Sequence, residues 1–244
     1  MREFVEDDLG AEGLARSAIV VATSDAPPLA RRQAAWTAMA AAEHFRDQGK
    51  SVLFLMDSVT RFCLAQREIG LSVGEPPATR GYPPSVFAEL PKLLERAGPG
   101  STRPDGTAGS ITALFSVLVE GDDHNEPIAD AARGILDGHI VLDRRIAEGG
   151  RYPPVDIGRT LSRAQGGCLE PGEAALIRRA RAILARAEEM ADLVRLGAYR
   201  PGTDPAVDEA LALAPRIEAV LRQDRLERTP MAAAFAALAR ALEA

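Results

Sequence analysis

Residues 51–62 read SVLFLMDSVTRF: an apolar run that stops on a carboxylate, Asp57, with Arg61 one helical turn beyond it. A short, wholly apolar run of this kind is the pattern of a strand buried on both faces, as in a parallel sheet. In an open parallel sheet, ligands bind beyond the carboxyl ends of the strands. Asp57 stands at such an end. Upstream, SAIVVAT (17–23) is a β-branched run of the same type, and residues Leu29 to Gln48 carry a helical pattern that stops at Gly49. Strand, helix, strand with short joints is a βαβ unit, which predicts a parallel sheet.

Downstream of Asp57 the pattern is helical through VTRFCLAQREIG. VGEPPATRGYPPS (73–85) is a loop, and a helix follows to about Ala97. GPGSTRPDGTAGS reads as a flexible surface connection. SITALFSVLV (110–119) is a further strand, IADAARGIL a helix, HIVLD a fourth strand and RYPPVDIG extended chain. From Glu170 onward the texture changes. Leu176, Ile183, Leu184, Met190, Leu193 and Val194 recur at nearly helical spacing in an Ala-rich, all-helical tail. The expected organisation is an α/β domain over residues 1–168 and a helical domain over 169–244.

The 244 residues suffice to bury a core without staples. A formal net charge of −6 gives no electrostatic case for nucleic acid or an anionic membrane surface. Nothing in the chain is apolar for long enough to span a bilayer. The N-terminal MREFVEDDLG is acidic, the opposite of a secretory signal. Cys63 and Cys168 have no metal or redox spacing and read as reduced thiols, one of them in the core.

Several residues carry possible chemistry. Asp57 can hold a magnesium ion through its water shell, and the metal can bridge nucleotide phosphates. Arg61 can aim its fork at a phosphate. Alone, a strand that ends in Asp is read first as a cap for the next helix. EGDDHNEP (120–127) gathers four acidic residues around one His; with no recognised ligand spacing, it reads first as a solvated loop holding a helix cap. Arg163, in LSRAQ, is by itself surface charge.

The joint order of these stretches says more. FLMDSVTRFCLAQREIGLSVGEPPATRGYPPSVFAELPKLLERAG, then GSIT, then VEGDDHNEPIADAARGILDGHIVLDRRIAEGGRYPPVDI, then LSR, resembles the flagellar and type III secretion export ATPases. These are cousins of the catalytic subunit of the rotary ATP synthases. The resemblance covers the whole chain from REFVEDDLGAEGLARSAIVVATSD, and LVRLGAYRPGTDPAVDEAL is similar to the flagellar branch rather than the injectisome branch. It implies a RecA-like core using ATP and Mg2+, with Asp57 as the Walker B carboxylate in the magnesium shell and Arg61 approaching the terminal phosphate. It implies that Arg163 is an arginine finger reaching a neighbouring subunit's nucleotide. The loop around Gly81, Tyr82 and Pro83 would face the central pore of a homo-hexamer and meet a stalk protein or export substrate. The helical domain would move with nucleotide state and dock export chaperone–substrate complexes. Regulator proteins of the export apparatus would be further partners. The implied location is cytoplasmic, peripheral at the inner face of the membrane export apparatus.

Departures from the family shape the expectation. These 244 residues contain no G-x-x-x-x-G-K-[ST]. The family carries that loop, the glutamate that positions the attacking water and an N-terminal β-barrel upstream of where this sequence starts. The sequence therefore reads as a fragment, a wrongly placed start or a gene remnant. The expected fold is a RecA-like α/β core without its phosphate-loop strand, leaving residues 110–119 with an unpaired apolar edge, followed by the helical domain. Many relatives also place an aromatic ring against adenine where EPGEAAL offers Glu173. Two functions follow: an ATPase energising flagellar protein export, inactive in these residues alone, or a non-catalytic assembly and chaperone-docking module.

Overall fold

The run that ends on Asp57 forms strand β1, Ser51–Met56; β2 is Gly98–Pro99 and β3 is Ser110–Phe115. The computed structural model describes residues 2–119, 121, 123 and 126–243. The chain falls into two units, Met1–Leu136 and Asp137–Ala244.

In the first unit, β1 and β3 pair in parallel from Ser51↔Ser110 to Met56↔Phe115. β2 joins the other side of β3 in the antiparallel sense, at Gly98↔Ile111 and Pro99↔Ser110. The expected parallel sheet is thus a mixed one, ordered β1-β3-β2. The edge of β3 expected to be bare is covered over Ser110 and Ile111 and has no strand partner beyond them among the described residues. Residues 17–23, predicted as a strand, form none. β-branched composition fits a pleated surface, but a strand also needs a neighbour for its backbone groups.

Helices follow the sheet pattern closely. After a π-helical turn, Phe4–Leu9, and α1, Gly10–Ala15, comes α2, Pro28–Asp47. Pro28 opens α2, where a missing N–H costs nothing. Ala35, Met39 and Ala42 form its buried stripe at helical spacing. Next come α3, Val59–Ser72; a 3-10 turn, Thr79–Gly81; α4, Pro84–Leu94; and α5, Pro127–Ile135. α2 packs on β1, β3 and α3, while α4 bridges α3 and α5. The core gathers Met39, Phe54, Val59, Phe62, Leu90 and Ile111. Strand alternation sends Phe54 into it and leaves Leu53 and Leu55 outward, 63% and 54% exposed.

The second unit begins with β4, Gly138–His139, paired antiparallel with β5, Leu161–Ser162. A Cβ on Gly138 would stand 2.4 Å from the Leu161 carbonyl oxygen, so only glycine fits there. The strand predicted over HIVLD shrinks to β4 and one bridge, Leu142↔Val155. α6, Arg144–Glu148, and α7, Gln165–Cys168, are short. Three longer helices, α8 (Pro171–Arg195), α9 (Pro205–Leu221) and α10 (Met231–Leu242), pack on one another around Ala180, Ile183, Ala210, Leu213, Ile217 and Leu242. Residues 137–168, grouped by sequence with the sheet, fall within this unit.

Candidate functional site

Parallel pairing in register places the residue after each strand side by side: Asp57 after Met56, Ser116 after Phe115. The Ser116 Oγ donates to Asp57 Oδ1 at 2.9 Å. The backbone zips the same junction, with Ser116 N–H donating to the Met56 carbonyl at 3.0 Å and Val59 N–H to the Ser116 carbonyl at 2.9 Å. One turn on, Thr60 Oγ1 accepts from the Leu118 N–H at 2.8 Å. No motif in the sequence singles out Ser116; aligning the ends of the two apolar runs is the signal that finds it.

The cap reading of Asp57 is not realised. Ser58 is the N-cap of α3, its Oγ accepting from the Arg61 N–H at 3.3 Å. Asp57 is exposed and serves no helix end. Arg61 is exposed in the first turn of α3, where the helix dipole disfavours a cation. Of the two charges, Arg61 is the one that local helix stability would not place there.

The loop after α3 divides into an exposed part, Pro76–Arg80, and a buried end. Tyr82 is 6% exposed and Pro83 is fully buried. The Arg67 guanidinium lies 5.4 Å from the Tyr82 ring centroid. Pro83 sits so close to α3 that a Cβ on Gly70 would meet its Cγ at 2.8 Å. Gly81 has φ +77° and Arg80 φ +49°, and Arg80 is ion-paired with Asp123. Of the residues expected to face a pore, Tyr82 and Pro83 are therefore turned inward, because both complete the packing of α3 and α4.

Glu126 is the cap anticipated within EGDDHNEP: its carboxylate accepts from Ile128 N–H and Ala129 N–H, each at 3.0 Å. Glu120, Asp122, His124 and Asn125 of that stretch lie outside the described residues. Burial, with the Glu126 charge adding to it, pushes the Cys63 thiol up to about 12, so it is an inert core group. Cys168 is exposed.

Arg163 follows β5 in the second unit and is exposed. Its backbone N–H donates to the Asp137 carbonyl at 2.7 Å, closing the β4–β5 ladder. Glu173 is held in a structural role. With Glu170 it forms the capping box of α8, accepting from the Glu170 N–H at 3.0 Å. The turn between α8 and α9 is tied by Asp208, which accepts from Tyr199 Oη and Gly202 N–H, each at 2.8 Å.

At the ends of β1 and β3, a magnesium–nucleotide group would meet an exposed carboxylate with a hydroxyl beside it. That fits contact through a water shell. Among the described residues, no group of three His, Cys, Asp or Glu could hold a metal directly. No helix among them is long and apolar enough to cross a membrane.

Residues 1–162 match the ATP synthase alpha/beta family, nucleotide-binding domain, and residues 169–240 the T3SS EscN ATPase C-terminal domain. The flagellum-specific ATP synthase of Caulobacter vibrioides is 59% identical over all 244 residues, which cover 55% of its length. The assembled ATPase EscN of the enteropathogenic E. coli type III secretion system superposes with a TM-score of 0.86 at 40% identity, over 97% of this chain and 58% of that one. EscN in complex with its central stalk EscO gives 0.81 at 41% identity, over 91% and 52%. The chain spans about half the length of the curated relatives it matches. With both halves matched in the family's own order, the chain belongs to the ATP synthase alpha/beta nucleotide-binding family, within its flagellar and type III secretion export ATPases.

Proposed function

We propose that these residues form the magnesium-side half and the helical domain of an ATPase that energises flagellar protein export. The observation that carries this reading is the division of labour at the end of β1. Ser58 caps the helix, and Asp57 stands beside Ser116 at the ends of two parallel strands. A magnesium ion bound to ATP offsets phosphate charge; Asp57 would hold its water shell, with Ser116 Oγ orienting the carboxylate. Arg61, at the same end of the unit, would take a phosphate oxygen. Arg163 would act in trans on a neighbouring subunit's nucleotide in a homo-hexamer. The identity of 59% to a flagellar relative, against 50% to a type 3 secretion system ATPase, favours the flagellar branch.

The exposed stretch Pro76–Arg80 is the part of the loop suited to meeting a stalk protein or export substrate. The helical domain, taken as residues 169–244, would dock chaperone–substrate complexes, and the assembly would sit in the cytoplasm against the membrane export apparatus. A second reading applies to the 244 residues by themselves. They contain no G-x-x-x-x-G-K-[ST], whose backbone N–H groups and lysine carry most phosphate recognition, so alone they act as a non-catalytic assembly module.

The test joins this chain in frame to the part of the Caulobacter relative that it does not cover. In that composite, Asp57→Asn should raise the magnesium concentration for half-maximal hydrolysis and lower the maximal rate. The 244 residues alone should bind magnesium-ATP too weakly for isothermal titration at micromolar protein. An unchanged magnesium dependence in the composite overturns the role of Asp57.

A further inference from the structure

We propose that Arg151 and Arg181 are positioning residues for Arg163, holding its segment onto the helices α8 and α9. The proposal rests on the reading of Arg163 as a trans-acting cation. Residues 137–168 hold together by short polar ties, among them the Leu142↔Val155 bridge, the Asp156 N–H to Val141 carbonyl bond at 2.8 Å and the Asp143–Arg159 ion pair. Their ladder, β4 with β5, is two residues long, and such a pair is unstable alone. None of their apolar side chains is buried, and the one buried residue of the segment is Arg151, 8% exposed. A fold without an apolar core must be held by polar contacts to a body that has one.

Two arginines and one backbone amide make those contacts. Arg151 Nε pairs with Glu218 Oε2 of α9 at 2.8 Å, while its Nη1 and Nη2 donate to the Pro153 carbonyl at 3.3 Å and the Val155 carbonyl at 2.9 Å. Just past α9, the Gln223 N–H donates to the Tyr152 carbonyl at 2.8 Å. Arg181, on α8, reaches the stretch leading into Arg163. Its Nη2 donates to the Ile157 carbonyl at 2.6 Å and to the Thr160 carbonyl. Thr160 in turn offers its Oγ1 to the Val141 N–H at 3.1 Å, and His139 Nε2 contacts the Arg159 carbonyl at 2.9 Å. From Thr160 the chain enters β5 and then Arg163, whose N–H closes on Asp137. The setting of Arg163 is thereby fixed to α8 and α9 through two guanidinium groups. Charge-assisted bonds to carbonyls are the stronger class of hydrogen bond, and a fork serves two carbonyls at once.

Hydrogen exchange on the 244-residue chain tests the clamp. Arg181→Met keeps the aliphatic stem and removes the donors. It should speed exchange at the Thr160 and Arg163 amides by on the order of tenfold, with α8 and α9 amides unchanged. Arg151→Met should do the same around 152–156, and Arg181→Lys should recover part of the protection. Arg163→Ala should leave exchange over 157–162 as it was. Unchanged exchange in both Met variants overturns the proposal. So does faster exchange throughout α8–α10, which would make the arginines general stabilisers of the helices. In the composite, Arg181→Met should lower kcat with KM little changed, and should add nothing to Arg163→Ala, as for residues acting through one group. Normal hydrolysis by Arg163→Ala would remove the catalytic reading and leave the exchange result standing. Full additivity of the two substitutions would show that Arg181 does not act through Arg163.

Discussion

The Ser116 hydroxyl donates to the Asp57 carboxylate at 2.9 Å across two strand ends fifty-nine residues apart in sequence. The bond exists because β1 and β3 end at the same level, and it gives Asp57 a partner outside the following helix. Asp57 and its neighbour Ser58 therefore differ in kind: one is tied to the end of β3, the other caps the helix.

Stability measurements separate those two roles. Ser58→Ala removes the cap and should cost about 1 kcal/mol. Asp57→Asn should stay within about 0.5 kcal/mol of wild type. Arg61→Ala relieves a cation at a helix N-terminus and should be neutral or stabilising by up to about 1 kcal/mol. Urea unfolding followed by Trp36, the single tryptophan, reads the unit that contains all three. A loss in Asp57→Asn equal to that in Ser58→Ala would return Asp57 to the role of cap.

Gly70 sets two effects against each other. Alanine in a helix is favoured over glycine by about 1 kcal/mol. Here its Cβ would meet Pro83 Cγ at 2.8 Å, with Glu75 Oε1 and Ser85 Oγ each at 3.1 Å. Overpacking of this type costs about 1–3 kcal/mol. Gly70→Ala should therefore lower the urea midpoint. A higher midpoint would mean that Pro83 yields easily and that the inward packing of the loop is loose.

The outward face of β1 and β3 bears Leu53, Leu55 and Leu114, each more than half exposed. Beside it, β3 beyond Ile111 has no strand partner among the described residues other than β1. Apolar edges of this kind recruit other strands. The 244-residue chain should self-associate at micromolar concentration. Leu55→Lys with Leu114→Glu, which face each other in register, should shift it toward monomer in sedimentation velocity. A monodisperse wild-type monomer with strong amide protection over 112–119 would contradict this.

Asp143 should titrate low. The Arg145 side chain, then the Arg145 N–H that Asp143 caps, and then Arg159 hold its carboxyl below the usual range. A depressed folded value means that its contribution to stability is present above the unfolded pKa of about 3.9 and is lost as pH falls through the lower folded value. Carboxyl NMR titration should give a midpoint below that of an unstructured peptide, and Asp143→Asn should flatten acid stability in that window. A midpoint at or above the peptide value would show that the pairs do not form in solution.

The helices are legible in the sequence because their stripes and breakers agree: α2, α3 and α5 lie where the apolar spacing places them. Residues 17–23 mislead because β-branched composition reports a suitable surface and not the presence of a partner. Asp57 and Arg163 are singled out as candidates by motif order through the family resemblance, and Ser116 only by register, which is a property of two segments together. Arg151 and Arg181 resemble ordinary surface charge. Their meaning depends on carbonyls supplied by distant turns, which no local pattern announces. The family resemblance implies an outward-facing loop around Tyr82, whereas Tyr82 and Pro83 pack against α3 and α4.

Removal of Arg163 tests most directly the trans-acting role proposed for it in hydrolysis at a neighbouring subunit. In the composite protein, Arg163→Ala should leave nucleotide affinity within a few fold while hydrolysis falls by a factor on the order of 10³, as for other trans-acting arginines. Mixing it with subunits that keep Arg163 but lack a working phosphate loop should recover part of the rate. Wild-type hydrolysis by Arg163→Ala would contradict that role.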